Sequence, residues 1–151
     1  MRALISVSDK NGLDKFVKKL MDFGFEIYAT DGTATFLEKR GIRVKRLSEI
    51  TGIEERENLK TLHHEIFKRI FENFFEMIVV NLYEDKIDVG GVALIRAGVK
   101  SNLIVVCRKE DYDFVIDAIR SGKDVKKILH VKAFEYLIEN DRKILENLKN
   151  S

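Results

Sequence analysis

Apolar residues along this chain follow two alternating rhythms. Short, nearly unbroken runs at Arg2 to Val7, Glu26 to Ala29, Met77 to Val80 and Leu103 to Cys107 have the character of buried strands. Between them the period lengthens. Leu13, Phe16, Val17 and Leu20 recur at i, i+3, i+4 and i+7, an amphipathic helix ending near Gly24. Thr33 to Arg40 reads as a short helix stopped by Gly41, and Arg43 to Leu47, alternating in polarity, as a more exposed strand. Ser48 to Leu59 has no clear period and reads as a loop. Thr61 to Phe74 is predicted helical, with Leu62, Ile66, Ile70 and Phe74 on one side. Gly91 to Val99, Lys109 to Gly122 and Val125 to about Leu148 complete the helices. Strands alternating with helices through short connections predict an α/β fold: a mostly parallel sheet with helices on both faces. Residues 1–151 read as one domain, with a helical C-terminal arm over about 123–151.

Composition narrows the class without choosing a function. Of 151 residues, 45% are apolar and 34% charged, enough for a real core under a heavily charged surface. A formal charge of +2, with basic and acidic residues interleaved on the predicted helices, argues against nucleic acid. No apolar run approaches membrane-spanning length, and Ala3-Leu4-Ile5 lacks a signal-peptide cleavage pattern, so a cytoplasmic protein is expected. The single cysteine, Cys107, excludes an internal disulfide and reads as a buried free thiol rather than a nucleophile.

The chemistry sits where strands should end. Ser8 and Lys10 follow the first strand; hydroxyl, ammonium and free helix amides suit a phosphate, while Ser-Asp before a helix is also an ordinary cap. Thr30, Asp31, Gly32 and Thr33 repeat the arrangement after the second strand, with the same two readings. Asp31 suits a phosphate site only if it points away. Lys60 and Thr61 open a predicted helix, where a lysine opposes the helix dipole and so serves either a ligand or merely solvent. His63 and His64 diverge on a helix and suggest no metal site. Asp88, before Gly90-Gly91, is a helix cap or a ligand acceptor. Tyr83, beyond the most buried strand, lies under a loop or in a site.

Taken in order, these motifs resemble the inosine monophosphate (IMP) cyclohydrolase domain of the bifunctional purine-biosynthesis family, whose fold is shared with methylglyoxal synthase. The family pattern S-V-S-D-K-T-G, S-G-G-T-A, G-R-V-K-T-L-H-P, N-L-Y-P-F, I-D-I-G-G and R-A-A-A-K-N-H corresponds here to Ser6 to Gly12, Thr30 to Ala34, Asn58 to His64, Asn81 to Glu84, Ile87 to Gly91 and Arg96 to Asn102. Lys132-Ala133-Phe134 matches the A-K-A-F helix.

The resemblance implies dehydrative ring closure of 5-formamidoimidazole-4-carboxamide ribotide (FAICAR) to IMP, with no metal or redox cofactor. It implies Lys100, with Asp88 and Tyr83, as proton-transfer residues and Lys60 as a stabiliser of developing charge. Ser8, Lys10, Thr30, Gly32, Thr33 and Thr61 would hold the phosphate; Asn81, Asp88, Val89 and Gly90 would contact the base. Asp31 and Asn58 stand at substrate-binding motif positions where the family has glycine and arginine, and Arg56 is a candidate substitute for that arginine. The loop after Tyr83 is trimmed to Glu84, Asp85 and Lys86 before Ile87, and K-N-H has become Lys100-Ser101-Asn102. A purine nucleotide is the implied substrate, and a separate aminoimidazole carboxamide ribotide (AICAR) formyltransferase a functional partner. Family members are commonly homodimers, and Ile128, Phe134, Leu137 and Ile138 are apolar residues that require a cover. The alternatives are a non-catalytic nucleotide-binding regulatory domain and a methylglyoxal synthase-type lyase, although the latter's aspartate motifs are not evident.

Overall fold

The computed structural model describes residues 1–52 and 61–151. Five strands form one sheet: β1 (Arg2–Ser6), β2 (Glu26–Ala29), β3 (Lys45–Arg46), β4 (Met77–Val80) and β5 (Ile104–Val106). Their order is β3-β2-β1-β4-β5 and every pairing is parallel, with Leu4 beside Tyr28 on one side and Ile78 on the other. The helices are α1 (Leu13–Asp22), α2 (Asp31–Glu38), α3 (Ser48–Thr51), α4 (His64–Phe71), α5 (Gly90–Lys100), α6 (Tyr112–Ser121) and α7 (Lys126–Lys149).

Strand alternation divides the core between the two faces, because successive side chains point to opposite sides. Ala3, Ile5, Ile27, Met77 and Val79 meet α1 and α6 through Phe16, Val17, Leu20, Val115 and Ile116. Leu4, Tyr28, Ile78 and Val80 meet α4 and α5 through Ile66, Ile70, Leu94 and Ile95. Both faces being covered explains why β4, Met-Ile-Val-Val, has no polar position. Gly98 brings α5 down onto the sheet: a Cβ there would lie 2.8 Å from Val105 Cγ2 and 3.0 Å from Ile78 Cδ1. Helix α7 runs beside β5, where Leu129, Ala133 and Leu137 are buried and His130 Nε2 is 2.7 Å from the Leu103 carbonyl oxygen.

The expected α/β architecture and C-terminal helix are therefore present, with local differences. The segment read as loop begins with one short helix, α3. The exposed strand shrinks to Lys45–Arg46, since its pairing with β2 extends over only two residues. The helix expected from Thr61 to Phe74 is narrower. His63 N–H donates to the Thr61 carbonyl at 2.9 Å, and His63 Nδ1 accepts the Glu65 N–H at 3.1 Å, so the imidazole caps α4 and the helix starts at His64. Asn73, at φ 57°, ends it beyond Phe71. No helix among the described residues is long and apolar enough to cross a membrane.

Candidate active site

The chain winds outward from β1 through β2 to β3, then restarts at β4 and proceeds to β5 on the other side. Beyond the carboxyl ends of β1 and β4 the connections diverge, leaving the crevice in which open parallel sheets hold ligands. A cavity of about 320 Å³ opens there.

Its rear wall is the loop after β1, held in shape by Asn81 from the end of β4. Asn81 Oδ1 accepts from Ser8 N (2.6 Å), Ser8 Oγ (3.0 Å) and Asp9 N (3.0 Å), while Nδ2 donates to the Asp9 carbonyl (2.9 Å). Asn81 lines the cavity, yet much of its amide is spent as a latch across the β1–β4 seam. Ser8 Oγ also reaches the Leu82 carbonyl at 3.0 Å. Lys10 folds back so that Nζ donates to the Val7 carbonyl at 2.9 Å, which keeps its charge at this wall. Asp9 turns outward: it accepts the Asn11 N–H and pairs with Lys109 at 2.9 Å. The Asn11 N–H first, and the Lys109 ammonium second, hold its carboxyl below the usual carboxylate range.

The second wall is the start of α2. Thr30 and Thr33 are buried, Thr30 Oγ1 lies 3.2 Å from Thr33 Oγ1, and Thr33 Oγ1 accepts the Val7 N–H at 3.3 Å. No side chain caps α2, so its first-turn amides and the positive end of its dipole face a cavity lined by Ser8, Lys10, Thr30, Gly32 and Thr33. That is an arrangement for an anion.

The far end is built by Tyr83, Lys86, Ile87, Asp88, Val89 and the start of α5. Asp88 Oδ1 accepts the Gly91 N–H at 2.7 Å and Oδ2 the Tyr83 N–H at 3.3 Å, so the carboxylate tethers the loop to α5 while still facing the cavity. Gly91 permits this, because a Cβ there would lie 2.7 Å from Leu82 Cδ2 and 2.9 Å from Asp88 Oδ1. At Gly90 an added Cβ would lie 2.9 Å from the hydroxyl of Thr61, a buried residue that also lines the cavity. Lys86 Nζ sits 4.1 Å from the Tyr83 ring centroid. From α7, the Tyr136 hydroxyl accepts the Leu82 N–H at 2.8 Å, and burial pushes that phenol's pKa up.

Eleven residues expected at the site thus line one cavity: Ser8, Lys10, Thr30, Gly32, Thr33, Thr61, Asn81, Tyr83, Asp88, Val89 and Gly90. Two others do not. Asp31 is turned onto Arg46 at 3.3 Å, beside Ser48, and is absent from the cavity wall. Lys100 is exposed at the last residue of α5, ten residues beyond Gly90 and so about 15 Å along the helix axis from the cavity. Lys60, Asn58 and Arg56 lie outside the described residues. Sequence reasoning passed over Ser6, Val7, Leu62, Lys86, Ile87 and Gly91 as site-lining residues. The signal for Lys86 was the trimming of the loop that carries it.

An all-parallel five-stranded sheet covered by helices on both faces, with a polar cavity at its switch point, defines a doubly wound α/β domain. Residues 12–107 match the MGS-like domain family, and the chain belongs to it. Over 99% of its length it is 36% identical to the bifunctional purine biosynthesis protein PurH of Aquifex aeolicus, and over 98% it is 33% identical to PurH of Elusimicrobium minutum. The chain spans about 37% of the length of these curated relatives. The alignment with the Aquifex protein runs to 187 positions against 151 residues here, so that relative carries segments this chain lacks. The crystal structure of ForH superposes with a TM-score of 0.80 at 24% identity, covering 97% of each chain, and shares the fold.

Proposed function

We propose that this chain is an IMP cyclohydrolase that closes FAICAR to IMP with loss of water. The observation that carries the reading is the polarity of the cavity. Hydroxyls, an ammonium and uncapped helix amides stand at one end, and a phenol, a carboxylate and an ammonium at the other. Its volume, about 320 Å³, lies in the range of small-molecule sites. Similarity to proteins named for purine biosynthesis supports the same class of ligand.

In this reading the phosphate lies over the first turn of α2, held by Ser8, Lys10, Thr30, Thr33 and Thr61. The exposed apolar side chains Ile87 and Val89 flank the base. The carboxamide nitrogen attacks the formyl carbon, the former carbonyl oxygen becomes an oxyanion, and two proton transfers convert it to departing water. Such a reaction gains mainly from positioning, charge stabilisation and acid–base groups. Tyr83 and Asp88 border the reacting end, and Lys60 is retained by motif as a stabiliser of developing charge.

The reading extends to a homodimer through the outer face of α7. Val131, Phe134, Ile138, Leu145 and Leu148 are 38–60% exposed at spacings of three, four, seven and three, on the side of the helix away from Leu129, Ala133 and Leu137. Leu137, expected to need a cover, is buried within the chain itself.

A second reading, nucleotide binding without catalysis, draws on the commitment of both Asp88 oxygens to backbone amides and on the distance of Lys100. One experiment separates the two. Purified protein is mixed with FAICAR and IMP formation is followed by ultraviolet absorbance, with IMP affinity measured in parallel. Turnover establishes the cyclohydrolase; tight IMP binding without turnover establishes the sensor.

A further inference from the structure

We propose that Lys86, from the trimmed loop after Tyr83, is the proton-donating ammonium of the reacting end, in the role the motif resemblance gives to Lys100. This inference rests on the cyclohydrolase reading above.

Three observations lead to it. First, two of the lysines that the motifs single out stand elsewhere, and the third, Lys60, lies outside the described residues. Lys10 is turned to the Val7 and Ser8 carbonyls at the phosphate wall, and Lys100 is exposed at the far end of α5. Second, Lys86 lines the cavity beside Tyr83 and Asp88, with Nζ 4.1 Å from the Tyr83 ring. An ammonium over a phenol face is held there by the ring quadrupole, which fixes the direction from which the charge approaches a ligand. Third, both Asp88 carboxylate oxygens already accept backbone N–H groups, which ties that side chain to the loop and to the start of α5 and leaves the Lys86 ammonium as the neighbouring group with protons to offer. The group suited to giving a proton at this end is the ammonium.

The chemistry balances with one lysine. As the carboxamide nitrogen bonds to the formyl carbon, the carbonyl π pair moves to oxygen. Lys86 donates a proton to that oxyanion, giving a hydroxyl on the tetrahedral carbon. The attacking nitrogen's first proton passes back to the neutral amine. The re-formed ammonium protonates the hydroxyl, the C–O bond breaks, and water leaves as the ring nitrogen's lone pair forms the C=N bond. The proton of the formamido nitrogen, whose lone pair has formed that bond, then returns to the lysine, and the attacking nitrogen keeps its remaining proton. Nothing is oxidised, and the lysine ends in its starting state.

Lys86, Tyr83 and Ile87 also line a second groove of about 180 Å³ against α7. The loop is therefore a wall shared by the cavity and this outer groove.

The test uses the full chain and the variants Lys86→Met and Lys86→Arg, with FAICAR turnover, IMP affinity and thermal unfolding measured for each. Because Lys86 is exposed, both variants should fold with unchanged Tm. The proposal expects Lys86→Met to lose 10²–10⁴-fold in kcat, the usual worth of general acid–base catalysis. IMP affinity should fall less than about tenfold. Lys86→Arg, charged but unable to give up its proton, should recover affinity and less than a tenth of kcat. A Lys86→Met kcat within threefold of wild type overturns the proposal and leaves the cyclohydrolase reading standing. Full kcat in Lys86→Arg overturns the proton transfer. Absence of turnover in the wild type overturns both.

Discussion

Gly32→Ala separates the anion site from the fold that carries it. Gly32 sits in the first turn of α2 and lines the cavity, and a Cβ built there meets nothing within 4 Å. Its φ lies outside the left-handed region, so alanine adopts the same backbone without strain. The substitution should leave stability unchanged or raise it by up to about 1 kcal/mol, since alanine exceeds glycine in helix propensity and restricts the unfolded chain. For a chain of this length that is a Tm rise of at most about 2–4 °C. Binding should move the other way. A phosphate over the α2 amides needs the space the methyl fills, and a hydrogen bond to a charged group contributes about 1.5–3 kcal/mol. Losing one such bond weakens IMP binding by about 10- to 150-fold. Calorimetric titration with IMP and a thermal melt read both quantities. Wild-type affinity in Gly32→Ala would refute the placement of the phosphate, and a Tm drop beyond 5 °C would refute the open space.

Other perturbations test different joints. Gly91→Ala drives a methyl into Leu82 and Asp88; overpacking of about 1–3 kcal/mol, offset by helix propensity, should lower Tm by a few degrees and weaken IMP binding as Asp88 is displaced. A wild-type melt and wild-type affinity would show that the loop packs otherwise. Cys107 is buried, and desolvation pushes its thiol up to about 12, so at pH 8 about one molecule in ten thousand carries the thiolate. Iodoacetamide should leave the native protein unmodified for hours and label it rapidly in guanidinium; fast native labelling contradicts the burial. Ile138→Asp should convert a dimer into a monomer by light scattering while keeping its Tm within a few degrees at low concentration. A dimer that survives the substitution removes α7 as the contact.

The sheet was legible because buried strands and amphipathic helices carry different periods, and Met77 to Val80 and Leu13 to Leu20 obey them cleanly. Most of the site was legible for a related reason: its motifs stand at strand ends, and a parallel sheet gathers all its strand ends on one edge. What a linear reading misses is distance along a helix. Asp88 and Lys100 stand in neighbouring motifs at the two ends of α5, and that helix carries the lysine about 15 Å away from the carboxylate's end. Asn81 posed the opposite problem. Its latch on Ser8 and Asp9 depends on β1 and β4 being neighbours, which no period reveals. Lys86, flanked by Asp85 in a short charged loop, has the sequence character of a solvated residue, and only the cavity distinguishes it. Thr61 was expected in a helix and instead precedes one, because the His63 imidazole supplies a cap that sequence periodicity does not anticipate.

The central claim is that the crevice between β1 and β4 holds a purine nucleotide in one orientation. A crystal structure of the chain with IMP tests it most directly. The account predicts the phosphate over the first turn of α2, touching Ser8, Lys10 and Thr33, with the purine between Tyr83 and Val89. IMP lying in the groove against α7, or reversed with its phosphate at Asp88, would contradict it.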